Sequence, residues 1–167
     1  YYHDNKFFED IYISLKDGEK WTEPTKIDSS QNYISTKINS KYHDAAIAFN
    51  DDETKLFIYR RDDVWQSELV VGKWSEPVRL YDYLNSKEHE PSVYIWPDEK
   101  SLIITSNRDG GLGGRDMYQS TKLEDGTWGP LAILGTEINT IYDDDAPFLT
   151  RDGNVLYFSS KYAKSFL

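Results

Sequence analysis

The pattern Asp-aliphatic-aromatic-x-Ser occurs three times in this chain. It is Asp10-Ile11-Tyr12-Ile13-Ser14, then Asp63-Val64-Trp65-Gln66-Ser67, then Asp116-Met117-Tyr118-Gln119-Ser120, in two equal steps of 53 residues. A period of this length marks a repeat architecture, in which one supersecondary unit is stacked on copies of itself. Function in such a chain is read from the surface that the repeats build together.

Further columns keep step with the first. Trp21-Thr22-Glu23-Pro24 matches Trp74-Ser75-Glu76-Pro77 and, more loosely, Trp128-Gly129-Pro130. Ile38-Asn39-Ser40 matches Leu84-Asn85-Ser86 and Ile138-Asn139-Thr140. Five residues after each Asn stands an acid (Asp44, Glu90, Asp144). Eight further on stands a turn Asp (Asp52, Asp98, Asp152), and four beyond that a Leu (Leu56, Leu102, Leu156). The run from Asn to acid to turn Asp never changes its spacing. Length varies elsewhere: the first repeat is longer before Asn39, and the last carries extra residues around Gly110–Gly114. The even step of 53 is therefore partly fortuitous.

Each unit reads as four short strands. The first strands are expected at Ala45–Asn50, Ser92–Trp96 and Ala146–Thr150, and the second at Lys55–Arg60, Ser101–Ser106 and Val155–Ser160. Asp- and Asn-rich turns separate them, because these residues and Gly tolerate the dihedrals of a tight turn. The third strands carry the opening motif. The fourth follow Asp17-Gly18, Gly72-Lys73 or Asp125-Gly126 and carry the Trp. No long segment shows helical periodicity. Four antiparallel strands repeating at this period predict an all-β chain of β-propeller blades. A β-sandwich is the alternative, although it needs no fixed repeat.

The units run over about 1–59, 60–106 and 107–160, with 161–167 opening the next connection, all within one partial propeller domain 1–167. Three blade equivalents cannot close a ring, since propellers have typically 4–8 blades. The chain is expected to be part of a larger ring, continuing on both sides.

Composition narrows the function. Hydrophobic residues make up 38% of the chain and aromatics 15%, with 13 Tyr and 5 Trp, enough to fill a core through aromatic packing. A net charge of −10 argues against a nucleic-acid groove and against docking on anionic lipid. The absence of Cys excludes disulfides and thiolate metal sites. No stretch is long and apolar enough to insert in a membrane as a helix.

The string Ser106-Asn107-Arg108-Asp109-Gly110-Gly111-Leu112-Gly113-Gly114-Arg115-Asp116-Met117-Tyr118 resembles WD40-like, TolB-type propeller repeats. So does Ile138-Asn139-Thr140-Ile141-Tyr142-Asp143-Asp144-Asp145-Ala146-Pro147-Phe148, followed by Arg151-Asp152-Gly153 and Leu156-Tyr157-Phe158-Ser159-Ser160. The glycine-rich form is similar to the propellers of Bacteroidetes outer-membrane lipoproteins of the OmpA family. There a propeller sits between a tetratricopeptide region and a peptidoglycan-binding domain, an architecture also met in type IX secretion. The resemblance is closest in the last repeat and weakest in the first. It implies a periplasmic, outer-membrane-associated scaffold or interaction module in a Gram-negative bacterium. Its partners would be other cell-envelope proteins, with peptidoglycan reached through a domain outside this chain.

The candidate binding face is the loop column of Asn39, His43, Asp44, Asn85, His89, Glu90, Asn139, Asp143, Asp144 and Asp145, which leads into the innermost strands. Recurring carboxylates could hold Ca²⁺, which takes several oxygen ligands. The competing reading is that each acid caps backbone N–H groups of its own or a neighbouring unit. His43 and His89 would admit a transition metal. No other cofactor is expected.

Asp10, Asp63 and Asp116 read as structural acceptors at a strand start. The Trp column reads as inter-unit packing or as a row of sugar-stacking platforms. Gly110–Asp116 reads as a flexible loop. No nucleophile elbow, phosphate loop or His-Glu-x-x-His zinc motif is present. Leu123-Glu124-Asp125-Gly126-Thr127-Trp128 fails as a sialidase Asp-box, since its Asp and Gly are adjacent. An enzyme is not expected. The alternative is a carbohydrate-binding or glycoside-hydrolase-like propeller using channel carboxylates.

Overall fold

The computed structural model describes residues 2–3, 6–29, 38–81 and 83–161. The expected lengthening before Asn39, and most of the connection after residue 160, lie outside these residues. Among them there is no α-helix, only a short 3₁₀ turn at Ile27–Ser29.

In chain order the N-terminal strands are β1 (Tyr2–His3), β2 (Lys6–Phe7), β3 (Tyr12–Ile13), β4 (Lys16–Asp17), β5 (Lys20–Trp21) and β6 (Thr25–Lys26). They pair antiparallel as β1–β2, β3–β6 and β4–β5.

A first large sheet follows, built of β7 (Asp44–Phe49), β8 (Lys55–Arg60), β9 (Asp63–Val70), β10 (Lys73–Trp74) and β11 (Val78–Arg79). Its order is β7-β8-β9-β10, with β11 also on β9. The second contains β12 (Val93–Ile95), β13 (Ser101–Ser106), β14 (Asp116–Thr121) and β15 (Ala132–Ile133), in that order. The last pair is β16 (Asp144–Leu149) with β17 (Leu156–Ser160). The chain is thus all-β and antiparallel.

The second strands match expectation closely, because their apolar runs are bounded by turn residues on both sides. The fourth strands do not run through. Each Trp segment breaks at its Pro, where β10 gives way to β11 and β5 to β6, because proline has no N–H to give the ladder. In the second sheet the Trp128 segment is reduced to a single bridge with Lys122 ahead of β15.

The turns between first and second strands are built alike. Glu53, Glu99 and Gly153 all have positive φ (57°, 54° and 73°). Their N–H groups donate to the carbonyls of Asn50, Trp96 and Thr150. A left-handed residue at this point closes a short hairpin loop, and Gly adopts it at least cost.

The core lies between sheets. β8 sends Leu56 and Ile58 to one side, where they meet Ile11, Ile27, Ile38 and Trp74. Phe57 points the other way, into a cluster with Val64, Leu80 and Leu84 that also takes Val93, Ile95, Leu102, Ile104, Tyr118 and Trp128 of the next sheet. Side chains alternate across a strand, so one sheet can serve two cores. β12 touches both β7 and β16, which puts the first strands of successive sheets side by side.

Trp74 and Trp128 are buried in these cores (6% and 7% exposed), whereas Trp21 is 68% exposed. The Trp column therefore packs between units in two repeats and not in the first, whose sheet lacks its two inner strands among the described residues.

Candidate functional site

The loop column is a set of joints between sheets. Asn39, Asn85 and Asn139 each behave as a one-residue strand partner. The N–H groups of Ile11, Val64 and Met117 donate to the Asn side-chain oxygens at 2.7, 2.8 and 2.8 Å. The Asn amide groups donate back to the carbonyls of the same residues at 3.2, 2.9 and 3.0 Å. Asn85 and Asn139 also donate to the carbonyls of Leu80 and Leu134, at 3.1 and 2.6 Å. Asn is suited to this because its side-chain amide carries both the donor and the acceptor of a peptide group.

Five residues on, the acid closes the loop. Asp44, Glu90 and Asp144 accept from the N–H of Ser40, Ser86 and Thr140 at 2.6, 3.0 and 2.6 Å. They also accept from the hydroxyls of the same residues at 2.8, 2.6 and 2.9 Å. The backbone N–H of each acid donates to the carbonyl of Glu9, Asp62 or Arg115, the residue just before the strand Asp. Asn and acid together fasten the third strand of one sheet to the first strand of the next. All three acids are buried, so the capping geometry is the one observed.

Two cationic partners complete the joints, and the sequence reading missed both. The Arg60 guanidinium bridges Asp44 and the carbonyl of Ile38. The Arg108 guanidinium lies 3.3 Å from Glu90 Oε1 and donates to the carbonyl of Leu84 at 2.5 Å. Arg60 and Arg108 reach the same place from different positions, which is why column counting does not find them. At the third joint Ser160 stands opposite Asp144, where Arg60 and Ser106 stand opposite Asp44 in β7–β8 and beside Glu90. Asp144 Oδ1 is buried without a hydrogen-bond partner.

The strand Asp column shows a substitution of one donor type for another. Lys26 pairs with Asp10 at 2.5 Å, and Arg79 grips both oxygens of Asp63 at 2.7 and 2.8 Å. Register puts Ile133 in the corresponding place opposite Tyr118. There the glycine-rich loop takes over, and Leu112 and Gly113 donate their N–H groups to Asp116 at 3.0 and 3.1 Å.

That loop is not the flexible connection expected from its composition. A Cβ on Gly113 would come within 2.5 Å of the carbonyl oxygens of Thr140 and Tyr142, and one on Gly111 within 2.2 Å of Asp116 Oδ2. The glycines permit close backbone approach, and Gly114 N–H donates to Tyr142 at 2.9 Å.

His43, His89, Asp143 and Asp145, together with Asn39, are the less buried members of the column. His43 Nδ1 accepts from Glu9 N–H at 3.3 Å, and Asp143 Oδ1 accepts from Arg115 N–H at 3.0 Å, so imidazole and carboxylate perform one task. His89 Nδ1 lies 2.8 Å from Asp62 Oδ1, and this contact holds the Asp62 carboxyl below its ordinary pKa. Burial, reinforced by a hydrogen bond to Asp62, pushes the Tyr59 hydroxyl up to about 12. Two of the three acids of the Asp143–Asp145 stretch have cationic partners. Lys161 pairs with Asp143 and lowers its pKa, and Arg115 reaches Asp145 at 2.8 Å.

Among the described residues no group of three or more His, Asp or Glu side chains is placed to hold a metal ion. One groove, of about 360 Å³, lies at the first joint, past Phe8, Asp10, Lys26, Asn39 and Ser40. Another lies away from the joints. It runs between the β7–β11 and β12–β15 sheets, with a volume of about 480 Å³, past Lys55, Gln66, Tyr81, Glu99 and Trp128. No protein-family model matches the chain, and no curated protein matches it.

Proposed function

We infer that this chain is an arc of a β-propeller serving as a non-catalytic scaffold or protein-interaction module of a cell-envelope protein. The observation that carries the reading is the joint. The same Asn–acid bonds recur three times between successive sheets, and the first strands β7, β12 and β16 lie side by side. Such stacking is what radial blades require. The acids that would have served a hydrolase in the channel are committed to backbone caps. A catalytic pair needs two carboxyl groups in unequal environments flanking a substrate. The resemblance to outer-membrane lipoproteins supplies the envelope location and the protein partners, with type IX secretion as one setting.

A second reading, glycan binding, rests on the groove between the two large sheets, where Tyr81 stacks on Tyr83 at 5.4 Å with an exposed face. One set of assays separates the two. The chain is incubated with a panel of glycosides and screened on a glycan array, and the intact protein is cross-linked in cells. The scaffold reading predicts no turnover, no retained glycan and a defined envelope protein in the cross-linked product. Turnover that is abolished by Glu90→Gln would overturn it, as would cross-linking that yields no envelope partner.

A further inference from the structure

The Asp that opens each third strand is neutralised by a side chain in two of its three copies. Lys26 pairs with Asp10. Arg79 holds both oxygens of Asp63 and also donates to the carbonyl of Ser86. In the third copy Ile133 occupies the corresponding register position, and Asp116 has no basic partner among the described residues.

Asp116 is nevertheless buried, at 1% exposure. Its Oδ2 accepts from the N–H groups of Leu112 and Gly113, but its Oδ1 is buried without a hydrogen-bond partner. Two residues on, and so on the same face of β14, the Tyr118 hydroxyl is also buried without a partner. Both side chains lie under one glycine. A Cβ on Gly111 would come within 2.2 Å of Asp116 Oδ2 and 3.1 Å of the Tyr118 hydroxyl. Burial, and then the charge of Asp116, hold that hydroxyl above its ordinary pKa, so it stays a neutral oxygen. The Tyr118 ring belongs to the core between the two large sheets.

A buried carboxylate with no counter-charge and an unfilled oxygen is costly. We propose that the third copy binds a monovalent alkali cation, Na⁺ or K⁺, between Asp116 Oδ1 and the Tyr118 hydroxyl oxygen, beneath the glycine-rich loop. The ion takes the part that Lys26 and Arg79 play in the other copies. Water and loop carbonyls complete its shell. The Thr140 carbonyl, counterpart of the Ser86 carbonyl that Arg79 binds, stands against Gly113.

Charge selects the class of ion. Lys26 and Arg79 each bring a single positive charge to a single carboxylate. Ca²⁺ takes 6–8 oxygen ligands, several of them carboxylates. It would leave net positive charge in the core, and among the described residues no cluster of acids is placed to balance it. The role is structural, tying the loop to β14, and it goes beyond the scaffold reading without depending on it.

Thermal unfolding in KCl, NaCl and tetramethylammonium chloride at equal ionic strength tests this, since the last cation is too large to enter. The expected result is a Tm higher by about 3 °C or more in an alkali salt, saturating with concentration as one site requires. Asp116→Asn keeps an acceptor for Leu112 and Gly113 and should lose the response. Ile133→Lys returns the charge from the protein and should lose it too. Asp63→Asn, in a copy that carries its own Arg, should keep it. Crystals soaked in a thallium(I) salt, whose ion substitutes for K⁺, should show anomalous scattering between Asp116 and Tyr118.

Equal Tm in the three salts overturns the proposal. So does a response that persists undiminished in Asp116→Asn, or one given by CaCl₂ and by neither alkali salt. A water without anomalous signal between the two oxygens overturns it as well, because hydration alone would then satisfy them. If a variant fails to fold, the salt comparison on the unaltered protein and the thallium map decide.

Discussion

Asn85→Ala is expected to lower the stability of the fold by about 3 kcal/mol or more, although it removes no charge and only a few atoms. The Asn85 side chain makes three hydrogen bonds, with Val64 N–H, Val64 C=O and Leu80 C=O. It is fully buried, as is Val64. Each buried backbone group left without a partner costs about 1–3 kcal/mol, because it has given up water and gained nothing. Set against a total stability of about 5–15 kcal/mol, this is a large fraction. Urea unfolding followed by circular dichroism measures it as a drop in midpoint at unchanged slope. Asn139→Ala should behave alike, because it makes the same bonds to Met117 and Leu134. A shift in midpoint equivalent to less than about 0.5 kcal/mol, the range of an ordinary surface change, would show that the Asn side chain does not hold the joint.

Glu90→Leu should cost a comparable amount, about 3–5 kcal/mol, for an electrostatic reason. Glu90 is fully buried and accepts from Ser86 N–H, Ser86 Oγ and Ser106 Oγ, with Arg108 beside it. Removing the carboxylate strands a mostly buried guanidinium and two hydroxyls. Breaking one side of such a pair is costly mainly because the other side stays charged, so Arg108→Leu in the same protein should restore part of the loss. A double variant as unstable as the sum of the two singles would mean that the two groups act independently. The same comparison bears on function: if Glu90 belongs to the fold, Glu90→Gln changes stability and leaves partner binding by folded protein intact.

Much of the fold was legible because it is written three times. The columns of Asp, Asn, acid and Leu fall where the strands and turns require them, and an error in one copy is corrected by the others. The break of the fourth strand at Pro24 and Pro77 was also readable, since a residue without an N–H cannot continue a ladder. The cationic partners were less visible. Lys26 and Arg79 both stand sixteen residues after their Asp, so the column was there to be found. Arg60 and Arg108 share no spacing, because a long side chain can reach one acid from more than one backbone position. The glycine-rich loop misled for a related reason. Glycine is equally suited to freedom and to close approach, and only the neighbouring carbonyls of Thr140 and Tyr142 decide between them.

The direction in which the acid column faces was the least legible feature. A carboxylate in each unit reads equally well as a lining of the ring or as a cap on its own loop. Only the positions of Ser40, Ser86 and Thr140 four residues upstream, with their hydroxyls turned onto the acids, separate the two. A Ser or Thr at that offset is a signal that could be sought in other chains of this kind.

The most direct measurement is amide hydrogen exchange at Ile11, Val64 and Met117 in the native protein. Each of these N–H groups has an Asn side chain as its acceptor across a joint between sheets. If the joints hold the fold together, Val64 and Met117 exchange only with global unfolding, Ile11 is protected above the loops around it, and Asn85→Ala accelerates Val64 most. Exchange of all three at the rate of exposed loop amides would contradict the joints and return the acidic column to consideration as a binding face.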